Sequence, residues 1–487
     1  MAPVTQKSVL STVPTQLFVG GEWRDSLSAT TFPVHDPATG GVLVEVANGT
    51  VADGEAALDA AVAAQADWAA TPPRERGEIL RRAFELLTER TDEFAMLMTL
   101  EMGKPLAESR GEVAYAAEFF RWFSEEAVRI HGRYAVNPAG GSRLLTMQKP
   151  VGPTFMITPW NFPLAMGTRK IGPAVAAGCT MVVKPAQETP LSMLALAALL
   201  EEAGLPGGVL NVVATSDTAV VSEPIIRDPR LRKLTFTGST AVGRRLVEQS
   251  AEQLLRVSME LGGNAPFLVF DDADLDAAVE GAMLAKMRNI GEACTSANRF
   301  LVHESVAEDF GRLLAKRMGG LTVGKGTKPG VEVGPLITAK ARDGVHELVQ
   351  EAVDKGARLL TGGEPVAGRG HFYAPTVLVD VPADARVLAE EIFGPVAPIT
   401  TFSDEADAVR QANSTEYGLV AYAYTRDHAR VIRVSEGLEF GMVGINTGIV
   451  SNAAAPFGGV KHSGFGREGG FEGISEYLET TYVSLNP

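Results

Sequence analysis

Two cysteines make up the whole thiol complement of this 487-residue chain. They sit in unlike surroundings. Cys179 lies in the apolar run GCTMVVK, the setting of a small buried hydrophobe, whereas Cys294 lies in RNIGEACTSANR, just past a helical stretch and among small and polar residues. A nucleophilic thiol needs a group that promotes the thiolate, and no histidine flanks Cys294 in its loop. A carboxylate base is the remaining option. Glu260, in VSMELGGNAP, ends a strand of buried character beside two glycines; a charge is costly there unless it is used in chemistry or bonded to backbone N–H groups. The turn KLTFTGSTAVG places Gly238, Ser239 and Gly243 after an apolar strand and at the start of a helix near Thr240. Backbone N–H groups at such a helix start suit a pyrophosphate, although a tight glycine turn has the same composition. The fingerprint GxGxxG is absent, and Gly319 to Lys325 has GxxxxGK spacing but continues with Gly326 where a Ser or Thr must hold magnesium. The seven histidines show no HExxH, and CxxC is absent, so no metal site is expected.

These groups need elements to hold them. From Val51 to about Ser124 the chain is Ala-rich and then repeats apolar residues at three and four, a helical apron. Between Pro153 and Glu260, short apolar runs (TFMIT, CTMVVK, VLNVVA, KLTFT, LRVSME) alternate with helix-length segments. Such runs read as parallel strands buried on both faces, and the unit as a doubly wound, nucleotide-binding sheet. A second βα region begins at Ala265, and a single core rarely grows past about 250 to 300 residues, which places a boundary near Ser258 to Gly263. Residues 131–150 and the C-terminal EYLETTYVSLNP are strand-prone and short, and read as an oligomerisation arm. The expected fold class is α/β. Residues 1–130 and 151–258 form a Rossmann-type cofactor domain, 259–455 a second α/β catalytic domain, and 131–150 with 470–487 a small β arm.

With 44 Lys plus Arg against 59 Asp plus Glu, the net charge of −15 repels nucleic acid and acidic membrane surfaces. Two cysteines exclude a disulfide framework and favour a reducing compartment. The first residues lack a continuous apolar core, and no stretch reaches about 18 uninterrupted apolar residues. A soluble, cytoplasmic chain is expected.

Taken in order, PWNFP at 159–163, VKPA at 183–186, FTGST at 236–240, MELGG at 259–263, the Cys294 loop, EIFGP at 391–395 and PFGGVKHSGFGRE at 456–468 resemble the aldehyde dehydrogenase superfamily over nearly the whole chain. The resemblance implies NAD(P)-dependent oxidation of an aldehyde to a carboxylate, in a subunit that forms homodimers or homotetramers. It identifies Cys294 as nucleophile, Asn161 as the side-chain donor to the oxyanion, and Glu260 as the base that activates water on a thioester. Relatives that pass the acyl group to coenzyme A tend to lack this Glu, so hydrolysis is implied. Implied cofactor-binding residues are Thr158, Pro159, Trp160, Lys184, Gln187, Gly238, Ser239, Gly243, Leu261, Glu391 and Phe393. In the family a Glu at position 187 repels a 2′-phosphate and a Ser tends to admit it; Gln187 is neutral and leaves NAD and NADP both open.

Within the superfamily the chain resembles the succinate-semialdehyde branch at Arg169, Arg288 and Ser451, which there bind the distal carboxylate. Two guanidiniums and a hydroxyl make a sensible anion clamp, whereas arginines more often pair with protein carboxylates. The loop departs from the common GQTCVCANR in carrying Glu292 and in lacking a second cysteine, so a switch through vicinal thiols is not expected. Alternatives are oxidation of an aromatic, aliphatic or betaine-type aldehyde, or a catalytically silent dinucleotide-binding protein.

Overall fold

The computed structural model describes residues 4–486. Residues 1–3 and 487, at the outer ends of the expected cofactor domain and arm, lie outside the described residues. The strand-prone runs become five parallel strands, Thr154–Ile157, Met181–Lys184, Leu210–Val212, Lys233–Thr237 and Arg256–Glu260. Across the sheet the order is Arg256–Glu260, Lys233–Thr237, Thr154–Ile157, Met181–Lys184, Leu210–Val212. The chain therefore starts in the middle, winds out one way and then the other. Between Thr154–Ile157 and Lys233–Thr237 the winding reverses, which opens a crevice beyond the carboxyl ends of those strands. Two additions were not legible in the sequence: the N-terminal pair Leu17–Val19 and Glu22–Arg24 extends one edge, and Gly464–Phe465 pairs antiparallel with Arg256–Glu260 at the other.

Helices Val51–Ala70, Pro73–Glu89, Thr91–Met102 and Leu106–Glu126 fill the stretch expected to be helical. Local chemistry sets their ends. Thr50 and Asp53 form a capping box at the first, and Gly103 ends the third with φ 101°, a conformation that favours glycine. Leu106–Glu126 packs the buried rings of Phe119, Phe120 and Phe123 against helix Ala165–Ala177, whose residues are all buried. Gly172 makes room for this contact, since a Cβ there would stand 3.1 Å from Phe123.

The second region forms its own sheet, in the order Arg358–Thr361, Thr376–Val379, Val396–Phe402, Ala297–His303, Ala265–Val269, Val420–Tyr424, Met442–Ile445. Only Arg358–Thr361 runs antiparallel to its neighbour. Buried apolar side chains fall into one large cluster around the first sheet and two around the second. Strands Arg133–Val136, Arg143–Pro150 and Leu478–Leu485 make a separate three-stranded sheet. Its C-terminal strand, Leu478–Leu485, lies within the strand-prone EYLETTYVSLNP. Helix Gly470–Ser475 packs on the first core: Ile474 is buried there, and a Cβ on Gly473 would lie 3.1 Å from Phe123. Among the described residues no helix is long and apolar enough to cross a membrane.

Candidate active site

Asn161 and Glu260 follow or end strands of the first sheet, and the Cys294 loop leads into strand Ala297–His303 of the second. The loop belongs to both bodies, since Ala293 packs into the first core while Ala297 packs into the second. Its backbone is unusual. Asn289, Ile290 and Gly291 take φ of 56°, 63° and 80° in succession, a left-handed run that reverses the chain after helix Leu275–Met287 and is costly at a β-branched residue. Asn161 Nδ2 donates to the Glu292 carbonyl at 3.0 Å, which spends one amide proton and leaves the other free. Gly263 lies against the same loop; a Cβ there would come 2.6 Å from the Cys294 carbonyl oxygen. The structure thus brings Asn161, the Glu260–Gly263 turn and Cys294 to one seam.

Burial dominates the electrostatics of that seam. The Cys294 thiol is pushed up to about 12 by its protein surroundings, with Arg169 opposing and Glu391 and Glu260 adding to the rise. At neutral pH it is a protonated thiol. Burial also holds Glu260 well above the usual carboxylate range, Glu468 reinforces this, and Arg169 and Lys170 oppose it. One Glu260 oxygen has no hydrogen-bond partner, and Gly458 leaves room beside the other, since a Cβ there would stand 2.9 Å from it. A carboxyl so placed exchanges protons closer to neutrality than a solvated one. Cys179 is a different case: fully buried, its Sγ donates to the Tyr477 carbonyl at 3.3 Å.

The residues expected to hold a dinucleotide lie at or after the carboxyl ends of strands in the first sheet, except Glu391 and Phe393, which precede strand Val396–Phe402 of the second. Ser239 stands at the N-cap of helix Thr240–Ser250 and makes no capping bond, so it and the first helical N–H groups remain available to an anion. Gly243 has no space for a side chain, because a Cβ would meet Leu261 Cδ2 at 2.4 Å; this contact seats the helix close to the sheet. Gly238 N–H donates to the Glu260 carbonyl at 3.0 Å and couples the turn to the reactive strand. Lys184 Nζ is buried beside Thr218 Oγ1 at 3.0 Å, and burial lowers it to about 8. Thr158 N–H donates to the Lys184 carbonyl, Leu261 is buried, and Gln187 is exposed. Trp160 meets Phe393 edge to face at 5.4 Å, with Pro159 beside it in the chain. Glu391 accepts from Gly263 N–H at 3.1 Å and is raised to about 7 by burial. An unpartnered buried Thr237 hydroxyl faces the same turn, so the donors, glycines and aromatic wall present fit a dinucleotide.

At the expected anion clamp, Arg169 is already bound by a carboxylate of the protein. Its Nε donates to Glu468 Oε2 at 2.6 Å, its guanidinium lies 4.0 Å from the centre of the Phe457 ring, and Lys170 completes the cluster with Thr235. A guanidinium this deeply buried must be neutralised by the protein, and Glu468 does so from 299 residues away in sequence. Burial alone would raise Glu468, but Arg169 and Lys170 draw it down to about 2. Arg288 differs: its Nη1 donates to Ser451 Oγ at 3.2 Å, and its guanidinium lies 5.6 Å from the Tyr115 ring and 5.0 Å from the Phe162 ring. Ser451 and Tyr115 line a cavity of about 520 Å³ together with Trp122, Asn452, Arg121 and the carboxylates Glu118 and Glu125. Tyr115 has a buried hydroxyl with no partner. Sequence reasoning missed it because an aromatic in an amphipathic helix looks like core.

A model of the aldehyde dehydrogenase family matches residues 23–483. The chain is 63% identical over 444 residues to a succinate-semialdehyde dehydrogenase of Paenarthrobacter nicotinovorans, covering 91% of this chain and 99% of the relative. It is 51% identical to a glutarate-semialdehyde dehydrogenase of Pseudomonas aeruginosa, covering 96% and 97%. A crystal structure of an NADP-dependent enzyme from Escherichia coli superposes with a TM-score of 0.97 at 51% identity, over 99% of both chains.

Gly243→Val is expected to weaken NAD and NADP binding about tenfold or more by driving the helix off Leu261; fluorescence titration measures it, and unchanged affinity contradicts the seating role. Alkylation of Cys294 by iodoacetamide, followed by peptide mass spectrometry on the free protein, should rise about tenfold per pH unit from pH 7 to 10. A plateau below pH 8 contradicts the raised thiol.

Proposed function

Because this chain belongs to the aldehyde dehydrogenase family, whose chemistry is NAD(P)-dependent oxidation of aldehydes, we propose that its substrate is a short aldehyde with a carboxylate at the far end, succinate semialdehyde foremost. The observation that carries this reading is Arg288. Among the described residues its one side-chain hydrogen-bond partner is the Ser451 hydroxyl, so most of its donors are unspent, and Ser451 itself lines the cavity. A guanidinium, a serine hydroxyl and the Tyr115 hydroxyl supply directed donors for one carboxylate. The names of the relatives above support an aldehyde with a carboxylate at the other end of a short chain.

The proposed chemistry assigns three groups. Cys294 Sγ bonds the aldehyde carbon as its proton passes to solvent, and the resulting alkoxide is held by Asn161 Nδ2–H and the Cys294 backbone N–H. Preorganised donors of this kind are typically worth about 3 to 4 kcal/mol of barrier. When bound, the nicotinamide ring supplies the acceptor for the hydride that leaves this carbon as the C–S thioester forms. Glu260, having released its proton to solvent, then takes one from the water that cleaves the thioester. The products are the carboxylate and the free thiol. NAD and NADP are both admitted by an exposed, neutral Gln187 beside Lys184.

The three-stranded sheet is the proposed subunit contact, giving a homodimer or homotetramer. It leaves Tyr134 and Tyr482 65% and 58% exposed, more apolar surface than an isolated arm carries comfortably. Free cysteines at 179 and 294 support a cytoplasmic location.

A 340 nm assay of succinate semialdehyde, glutarate semialdehyde, propanal and betaine aldehyde with each cofactor tests the substrate. Arg288→Leu should lower kcat/KM for the carboxylated aldehydes by about 10- to 100-fold, the worth of a charge-assisted hydrogen bond, and change propanal less than about threefold. Equal losses on all four contradict the anion subsite. Light scattering should find a dimer or tetramer that Tyr134→Asp with Tyr482→Asp reduces to smaller species; a wild-type monomer contradicts the arm.

A further inference from the structure

The segment that carries Asn161 is held by a buried ion pair from another part of the chain. Lys104 follows Gly103 at the end of helix Thr91–Met102, and Glu112 lies in the next helix, Leu106–Glu126. Both side chains are about 1% exposed, and Lys104 Nζ stands 2.5 Å from Glu112 Oε2. The same ammonium donates to the Asn161 carbonyl at 2.7 Å and lies 4.3 Å from the centre of the Phe162 ring. The other oxygen of Glu112 accepts from Leu164 N–H at 3.0 Å and Ala165 N–H at 3.1 Å. Residues 161 to 165 are therefore gripped at both ends by one pair. Asn289 Nδ2 closes the arrangement by donating both to the Asn161 carbonyl at 3.0 Å and to the Glu292 carbonyl at 2.8 Å, the oxygen that also receives the Asn161 amide.

We propose that Lys104 and Glu112 are positioning residues for the oxyanion donor: they fix the Asn161 backbone so that its free amide proton points at the reacting oxygen. The inference rests on the assignment of Asn161 made above. Three features make it more than packing. A buried ammonium is costly, and an apolar pair of equal volume would fill the same space more cheaply, so the pair's value lies in where it directs donors and acceptors. Its polar contacts converge on the five-residue segment bearing the amide. Burial lowers the Lys104 ammonium, with Glu112 opposing, so its charge depends on that partner. A displacement of about 1 Å at a reacting group can cost about 100-fold in rate, which sets the scale of the effect.

The test is a double-mutant cycle on the full enzyme, with kcat, aldehyde KM, dinucleotide affinity and thermal midpoint recorded for Lys104→Met, Asn161→Ala and both together. Lys104→Met should lower kcat about 10- to 100-fold, with KM and dinucleotide affinity within about twofold. In the Asn161→Ala background the same change should cost less than about threefold, because the group it positions is gone. Full additivity overturns the proposal, as does an unchanged kcat in Lys104→Met. If Lys104→Met alone does not fold, Lys104→Met with Glu112→Gln removes both charges together; a folded, fully active double variant also overturns it. A loss of less than about threefold in Asn161→Ala by itself instead overturns the oxyanion assignment, which separates the two failures.

Discussion

Exclusion of water from ionisable groups is the constraint on which this cleft depends. Where opposite charges meet, as Glu468 does with Arg169 and Lys170, burial produces an ion cluster. Where they do not, burial favours the neutral form, and Cys294, Glu260 and Glu391 are all held above their ordinary values. The contrast divides the site into an ion cluster around Glu468 and a set of groups that burial holds toward their neutral forms. Glu260 borders both, raised by Glu468 and opposed by the two cations that neutralise Glu468.

Two separate cores are what make such a dry seam possible. The first sheet delivers Asn161 and Glu260 from strand ends, and the second receives the Cys294 loop, with Ala293 and Ala297 anchored in different cores. Glycines then set the distances. At Gly243 and Gly263 a side chain would collide with Leu261 and with the Cys294 backbone, so the helix start and the thiol loop approach the strand ends more closely than any other residue permits. The strained turn through Asn289 and Ile290 is tolerated because hydrogen bonds to Asn161, Glu292 and Glu108 over-determine it.

Much of this was legible in the sequence, and the misses share a cause. Continuous apolar runs such as TFMIT and KLTFT announce parallel strands because both faces are buried, and all five fell where the pattern placed them. Cys294 stood apart from Cys179 by its polar neighbours alone. What sequence spacing cannot show is pairing across the chain. The Arg169–Glu468 pair spans 299 positions of sequence, and Gly464–Phe465 has no strand signal of its own, being held by the edge it joins. Helix Gly470–Ser475 depends on distant residues in the same way, since Ile474 is explained by Phe123 and its neighbours in the first core. Tyr115 carries no signal in a helix that already presents Phe119, Phe120 and Phe123.

The central claim is that one sulfur in this seam becomes acylated and that Glu260 is needed to release it. Mass spectrometry of Glu260→Gln mixed with cofactor and succinate semialdehyde tests it most directly. The account predicts one acyl group on the peptide containing Cys294 and a burst of reduced cofactor of about one equivalent per active site. An unmodified Cys294, or acyl label on Cys179, would contradict it.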